Sequence, residues 1–144
     1  MGGPLSGNGG FVETSASQLK IADGFLVNTK APAGRAGVWL LDPGDITIAP
    51  TGGTMSGATL ALNLGSGDVT LDTLFLNAAR QPGDIFVNDN INVTGATSAN
   101  TLTLKAVRNI TVGAGKSITD EVGNSLSVNL QAGGAVVFLD NTSA

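Results

Sequence analysis

Apolar and polar residues alternate along most of this chain, in short runs that end at Gly, Asn, Asp or Pro. Clear examples are Leu19-Lys20-Ile21, Ile46-Thr47-Ile48, Leu60-Ala61-Leu62-Asn63-Leu64, Val69-Thr70-Leu71 and Ile91-Asn92-Val93. A period of two bounded by turn residues predicts short β-strands with one buried face. No stretch shows a sustained helical apolar face. The best helix candidate is 72–80, whose central Leu-Phe-Leu fits a strand better.

Two of these strand patterns recur together. The pattern apolar-x-Leu-x-Ala begins at Leu74, Leu102 and Val128, and a pattern opened by Ile or Val begins at Ile85, Ile110 and Val136. Both return about every 26 residues, and repeats of roughly 20–50 residues are typical of solenoids, propellers and arrays. Because the repeat contains only strands and turns, it predicts an all-β parallel solenoid of about five to six coils, each with about three short strands.

The turns carry a pattern of their own. Gly-Asp directly precedes a strand at Asp45, Asp68 and Asp84, and Asn109 takes that place later. Glycine adopts positive φ freely and Asp bonds nearby backbone, so turn formation explains the pattern. The alternative is a calcium column, but Ca²⁺ takes about six to eight oxygens and the spacing of these residues is uneven. We therefore predict turns, with no metal or cofactor site.

A second polar group lies around Val87 and consists of Asp84, Asn88, Asp89 and Asn90. Calcium-binding β-helices repeat Gly-Gly-x-Gly-x-Asp, and that repetition is missing here. A solvated Asn/Asp turn is the favoured interpretation.

Composition narrows the function classes. Only 12% of the 144 residues are charged and the net charge is −4, so the basic surface of a nucleic-acid or anionic-membrane protein is missing. The absence of Cys and His removes thiol chemistry, disulfides and the commonest metal ligand. No run approaches the ~20 apolar residues of a membrane-spanning helix. We therefore predict neither nucleic-acid binding nor membrane insertion.

Few residues are candidates for binding or catalysis. Trp39, the only Trp, lies in a strand with two apolar faces, which favours packing over sugar stacking. Phe86 lies at an outward position between Ile85 and Val87. Lys105 and Arg108 have no carboxylate beside them in sequence, and glycoside hydrolysis needs two carboxylates about 5–9.5 Å apart. The sequence therefore predicts no catalytic residue and no enzyme.

Three Asn-x-Ser/Thr sequons begin at Asn92, Asn109 and Asn141. In a chain rich in Asn and Thr this pattern arises by chance, which is the favoured interpretation over glycosylation.

The first third of the chain carries its most specific motifs. These are GGFVETS at 9–15, VNT at 27–29, WLLDP at 39–43 and DITI at 45–48. In this order they resemble the large exoproteins of two-partner secretion, most closely the filamentous-haemagglutinin and high-molecular-weight adhesin group. Ala16 stands where that family often has Gly, and Gly44-Asp45 is a plain turn where its members vary.

The resemblance implies a right-handed parallel β-helix, exported through an outer-membrane transporter and either secreted or displayed on the bacterial surface. It implies a structural segment of an adhesin, with a host glycan or protein receptor as the partner. One alternative is the β-helix stick of a contact-dependent toxin, and a less favoured one is a β-helix enzyme that acts on polysaccharide.

The domain organisation follows from these patterns. We predict a flexible or cloning-derived lead-in over 1–10, a β-helix segment with the GGFVETS and WLLDP motifs over 11–50, and coils over 51–144. A coil cannot bury its apolar face alone, so we also predict end-to-end self-association of this chain.

Overall fold

The chain winds into a β-solenoid of about four turns. The computed structural model describes residues 3–73, 83–94, 99–121 and 126–140. The strands there are β1 (Phe11–Ser15), β2 (Val38–Asp42), β3 (Ile46–Ile48), β4 (Asp68–Asp72), β5 (Ile85–Val87), β6 (Ile91–Val93), β7 (Thr101–Ala106), β8 (Ile110–Val112), β9 (Ile118–Asp120), β10 (Ser127–Ala132) and β11 (Val136–Phe138). One helix, α1 (Gly57–Leu64), lies between β3 and β4.

The strands form three parallel sheets, which are the three sides of the solenoid. Their orders are β1-β2-β4-β7-β10, β11-β8-β5-β3 and β6-β9. Every pair is parallel, and neighbouring strands of a sheet are one turn of the chain apart. The predicted all-β parallel solenoid is therefore confirmed, whereas its right-handed sense stays a prediction.

The core consists of apolar side chains stacked in columns along the solenoid axis. In the five-stranded sheet Trp39, Val69 and Leu102 form one column, and in the four-stranded sheet Ile46, Ile85 and Ile110 form another. All six side chains are buried. Because each turn covers the apolar row of the turn before it, the stability of the fold comes from contacts between neighbouring turns.

The strand pairing predicted from the 26-residue repeat is confirmed except for the pattern that begins at Leu74. Val128 pairs with Leu102, and Val136 and Ile85 both pair with Ile110. Leu102, however, pairs with Val69 on its other side, so Leu74 is not its equivalent; residues 74–78 lie outside the described part of the chain.

The number of turns was predicted too high, at five to six. Successive turns differ in length, since the step from Asp45 to Asp84 takes 39 residues whereas that from Asp84 to Asn109 takes 25. The longer turn contains α1, and a constant repeat therefore overcounts the coils.

Residues 60–64 were predicted as a strand and lie instead in α1. Ser56 Oγ accepts a hydrogen bond from the N–H of Thr59, 3.2 Å away, which caps the helix. Leu60 and Leu64, four residues apart, both face the core, so their spacing fits a helix as well as a strand. The candidate helix at 72–80 begins inside β4, and its residues 74–80 are outside the described ranges.

The start of the solenoid is covered by the chain itself. Thr54 N–H donates to Thr47 O and Met55 O accepts from the N–H of Ala49, which fills the outer edge of β3. On another side α1 packs against β6. In the described ranges no helix has the length and hydropathy needed to cross a bilayer.

Candidate functional site

A ladder of side chains runs along one corner of the solenoid. Asp45 Oδ1 accepts the N–H of Asp84 at 2.8 Å, Asp84 Oδ1 accepts the N–H of Asn109 at 3.0 Å, and Asn109 Oδ1 accepts the N–H of Ala135 at 2.9 Å. Each side chain thus caps the backbone of the next turn. The expected bonds from Asp to its own local backbone are thus replaced by bonds to the next turn of the solenoid, and among the Gly-Asp glycines Gly83 has the expected positive φ, 69°.

Asp68 does not belong to this ladder. It lies at the start of β4 in the five-stranded sheet, and its Oδ1 accepts the N–H of Thr101 at 2.7 Å. The three Gly-Asp carboxylates therefore do not form one column that could hold Ca²⁺. Across the described ranges, no group of three His, Cys, Asp or Glu side chains is placed to bind a metal ion.

The polar cluster around Val87 ties neighbouring parts of the fold together. Asp89 Oδ2 accepts the N–H of Gly57 at 2.8 Å, at the start of α1. Asn90 Oδ1 accepts the N–H of Ser117 at 3.1 Å, one turn further along. The cluster was predicted as a solvated turn. Asn88 and Asn90 are indeed exposed, but Asp89 and Asn90 also bond to backbone that lies far away in sequence.

Lys105 and Arg108 each form an ion pair with a carboxylate that is distant in sequence. Lys105 Nζ lies 3.2 Å from Asp72 Oδ2, and Arg108 Nη1 lies 3.5 Å from Asp84 Oδ2. Both carboxylates come from the preceding turn. Since the Lys105 side chain is 39% exposed and that of Arg108 56%, solvent screens both pairs, and we expect each to contribute at most about 1 kcal/mol.

Trp39 is a packing residue, as predicted. It is 1% exposed and points into the solenoid, and its Nε1–H donates to Thr14 Oγ1 at 3.0 Å. Its ring centroid lies 6.1 Å from that of Phe25. A buried indole leaves no face for a sugar ring. Phe86 points outward and is exposed, also as predicted.

The two most specific motifs meet in space. GGFVETS contains β1 and WLLDP contains β2, and these strands pair in parallel with Val12 opposite Trp39. A Cβ at Gly9 would collide with the backbone of Gly37 and Thr29. The glycine is required there because two chain segments approach each other directly.

Two of the sequon side chains are engaged with a neighbouring turn. Asn92 Nδ2 donates to Glu121 Oε1 at 2.7 Å and its Oδ1 accepts from Thr119 Oγ1 at 3.1 Å. Asn109 belongs to the corner ladder, where a glycan on its amide would break contacts with Asp84. Asn141 lies outside the described residues.

The described part of the surface includes two grooves of similar volume. One, of about 610 Å³, runs between residues 17–20 and the outer side of β3, where Asp45 and Thr47 line it. The other, of about 600 Å³, lies between the loop at 30–36 and the turn at 99–101. Lys30 and Arg35 line the second groove together with Asp68.

Comparisons with protein-family models, curated proteins and solved structures found no match. The resemblance to two-partner secretion exoproteins therefore stays a prediction from the motifs.

Neither α1 nor the contacts that hold it were predicted from the sequence. Asn63 is the central one, because its side chain bonds to Phe25 O and to the N–H of Val27. Ser56 followed by Leu60 and Leu64 is the signal that could have found the helix.

Proposed function

We propose that this chain is a structural β-solenoid segment of a secreted bacterial surface adhesin. The observation that carries the proposal is the pairing of the two motif strands, β1 and β2, at the beginning of a parallel solenoid. Motifs that are separate in sequence thus form one local structure, as expected if they specify the start of a stacked rod. The host glycan or protein receptor and the outer-membrane transporter belong to this proposal.

The mechanism is mechanical. Backbone hydrogen bonds join each turn to the next, and the corner ladder of Asp45, Asp84 and Asn109 adds side-chain bonds along the same axis. With about 4.8 Å between strands, four turns extend the rod by about 20 Å. Such a rod holds a binding element away from the cell, or presents its own flank to a receptor.

The polar flank supports the second role. The outward positions of the five-stranded sheet include Thr70 and Thr103, which pair with each other, and the next strand places Asn129 beside Thr103. A row of hydroxyl and amide groups suits hydrogen bonding to a glycan.

The main alternative is the stick of a contact-dependent toxin exoprotein, which would use the same stacked turns. A β-helix enzyme acting on polysaccharide is the third candidate. The ion pairs of Asp72 and Asp84 with Lys105 and Arg108 bring acidic and basic groups together, as such an enzyme requires, but these side chains line neither of the two grooves described above.

Surface display is the first test of the proposal. Antibodies against the purified chain should stain intact cells of the organism that carries the gene, and control antibodies against a cytoplasmic protein should not. Staining only after permeabilisation would rule out a surface adhesin. The reading frame beyond this segment then separates the alternatives, because a toxin domain at its end favours the toxin stick.

Binding is the second test. The purified chain on a glycan array should bind a defined glycan class if its flank contacts the receptor, and Thr103→Lys should reduce that binding while leaving the circular dichroism spectrum unchanged. No binding would limit the segment to a supporting role. Release of product from an acidic polysaccharide such as polygalacturonate would favour the enzyme instead.

A further inference from the structure

The groove between the loop at 30–36 and the turn at 99–101 brings two cations together, Lys30 and Arg35. Neither side chain forms an ion pair in the described part of the chain, where the paired cations are Lys105 and Arg108. The chain as a whole has a net charge of −4, so two unpaired cations on one groove are a local exception. A groove lined by such cations attracts anions.

The loop that carries the two cations is held at both ends. Gly37 N–H donates to Thr29 O at 2.8 Å and closes the loop just outside the two cations. The backbone N–H of Arg35 donates to Asn8 Oδ1 at 3.0 Å. The backbone of both cations is therefore fixed before a ligand arrives, which lowers the entropy cost of binding.

The opposite wall of the groove is polar. Ser66, Asn100 and Thr101 line it, and their hydroxyl and amide groups suit hydrogen bonding to the hydroxyls of a sugar. Asp68 is also on this wall, where its Oδ1 accepts the N–H of Thr101 at 2.7 Å. With two cations and one carboxylate, the groove carries a net charge of +1.

These charges favour a phosphate over other acidic groups. A dianion in this groove is attracted about twice as strongly as a monoanion, because the Coulomb energy is proportional to charge. A phosphate monoester carries about −1.5 to −2 charges at pH 7 and offers three acceptor oxygens. The Arg35 guanidinium can bind two of these oxygens through parallel N–H donors, and Lys30 supplies a point charge. A carboxylate or a sulfate ester brings only one charge.

We propose that this groove binds a phosphorylated saccharide, with the phosphate monoester held by Lys30 and Arg35 and the sugar hydroxyls against Ser66 and Thr101. Its volume of about 600 Å³ lies in the range of small-molecule sites. The inference concerns what one groove binds, not where the chain is displayed, so it does not depend on the proposed adhesin function.

Titration of the purified chain, followed in amide NMR spectra, tests the proposal. At about pH 7, glucose-6-phosphate should shift the amides of 30–36 and 99–101 with a dissociation constant in the millimolar range or tighter. Glucose-6-sulfate, the matched monoanion, and inorganic phosphate, which has no sugar, should both bind more weakly, and glucose should not bind. At about pH 5 the preference for phosphate over sulfate should shrink, because the second pKa of the phosphate is about 6.

Variants of the groove test which charges act. Lys30→Ala and Arg35→Ala should each weaken binding of glucose-6-phosphate about tenfold, the effect of one lost charge-assisted hydrogen bond. Asp68→Asn keeps an oxygen for the Thr101 N–H and should tighten binding, since it removes the repelling carboxylate. Lys20→Ala is the matched control, because it removes the same charge from the other groove and should leave the affinity unchanged.

Four results would overturn the proposal. Absence of amide shifts would mean that the groove binds no sugar phosphate, and equal binding of glucose-6-sulfate at about pH 7 would mean that the charge of the ligand is not read. Equal binding of inorganic phosphate would mean a plain anion site, and weaker binding in Lys20→Ala would place the ligand in the other groove. The comparison of ligands uses the wild-type chain alone and decides even if a variant fails to fold.

Discussion

At the scale of single residues, the solenoid is held together by side chains that cap backbone one turn away. The corner ladder places an Asp or Asn oxygen against an N–H that the sheet hydrogen bonds leave free. Thr73 acts in the same way, since its Oγ1 accepts the N–H of Val107 at 3.0 Å. A buried N–H without an acceptor is costly, so these small polar residues stabilise the corners.

Asp84 tests this ladder. Asp84→Ala removes the acceptor of the Asn109 N–H and should lower the free energy of unfolding by about 1–3 kcal/mol. Asp84→Asn keeps an oxygen at the same place, as Asn109 does one turn later, and should cost less than about 1 kcal/mol from the lost ion pair with Arg108. Urea unfolding measures both. Equal losses would mean that the ion pair, not the cap, stabilises this corner.

At the scale of elements, α1 lies between the segment at 25–27 and β6 and holds both. The helix packs against β6, and Leu60 and Leu64 point into the core. On its other side Asn63 binds the segment at 25–27 through hydrogen bonds of 2.8 Å to Phe25 O and from the Val27 N–H. An eight-residue helix is too short to be stable alone, so this tertiary packing maintains it.

Asn63 therefore controls the attachment of the segment at 25–27. Asn63→Ala should accelerate hydrogen exchange of the Val27 amide and lower the free energy of unfolding by about 1–3 kcal/mol, because it leaves two partly buried backbone groups without these partners. Leu62→Ala, on the exposed side of the same helix, is the control and should change stability by less than about 0.5 kcal/mol. Slow Val27 exchange in Asn63→Ala would show that other contacts hold the segment.

At the scale of the whole molecule, the contribution of a solenoid turn to stability depends on whether another turn packs on one side of it or on both. Leu71, Leu104 and Leu130 occupy one column, and only Leu130, in the last turn, is partly exposed. The same residue type in the same column thus has two environments, which the position along the axis determines.

Leu104 and Leu130 make a matched pair for this gradient. Leu104→Ala should cost about 2–5 kcal/mol, because it leaves a cavity between two covered turns. Leu130→Ala should cost less than about 1.5 kcal/mol at a protein concentration where the chain is monomeric, because solvent already reaches that site. Thermal or urea unfolding of dilute samples gives both values. A larger loss for Leu130 would contradict the stacked arrangement.

Local pattern was sufficient to predict most of the strands, the parallel solenoid and the packing role of Trp39. It was wrong for Leu19–Ile21, which lies outside the strands, and for 60–64, which lies in α1. Alternation decides which side chains can share a face, and the recurrence at Ile85, Ile110 and Val136 decides which strands become neighbours. Both properties depend only on the order of residues along the chain. The Gly-Asp turns were predicted only in part: Gly83 has a positive φ of 69°, as expected, but Asp45 and Asp84 bond to backbone in the next turn of the solenoid.

Only the tertiary structure decided the number of turns, the helix, the pairing of Val69 with Leu102 and the partners of Lys105 and Arg108. Each depends on what lies one turn away, and turns of 39 and 25 residues place different neighbours there. The burial of a side chain has the same origin: Phe138 pairs with Val112 in the same apolar pattern, yet Val112 is buried between two strands and Phe138 is 65% exposed. Alternation therefore specifies which way a side chain points, whereas stacking determines what it meets.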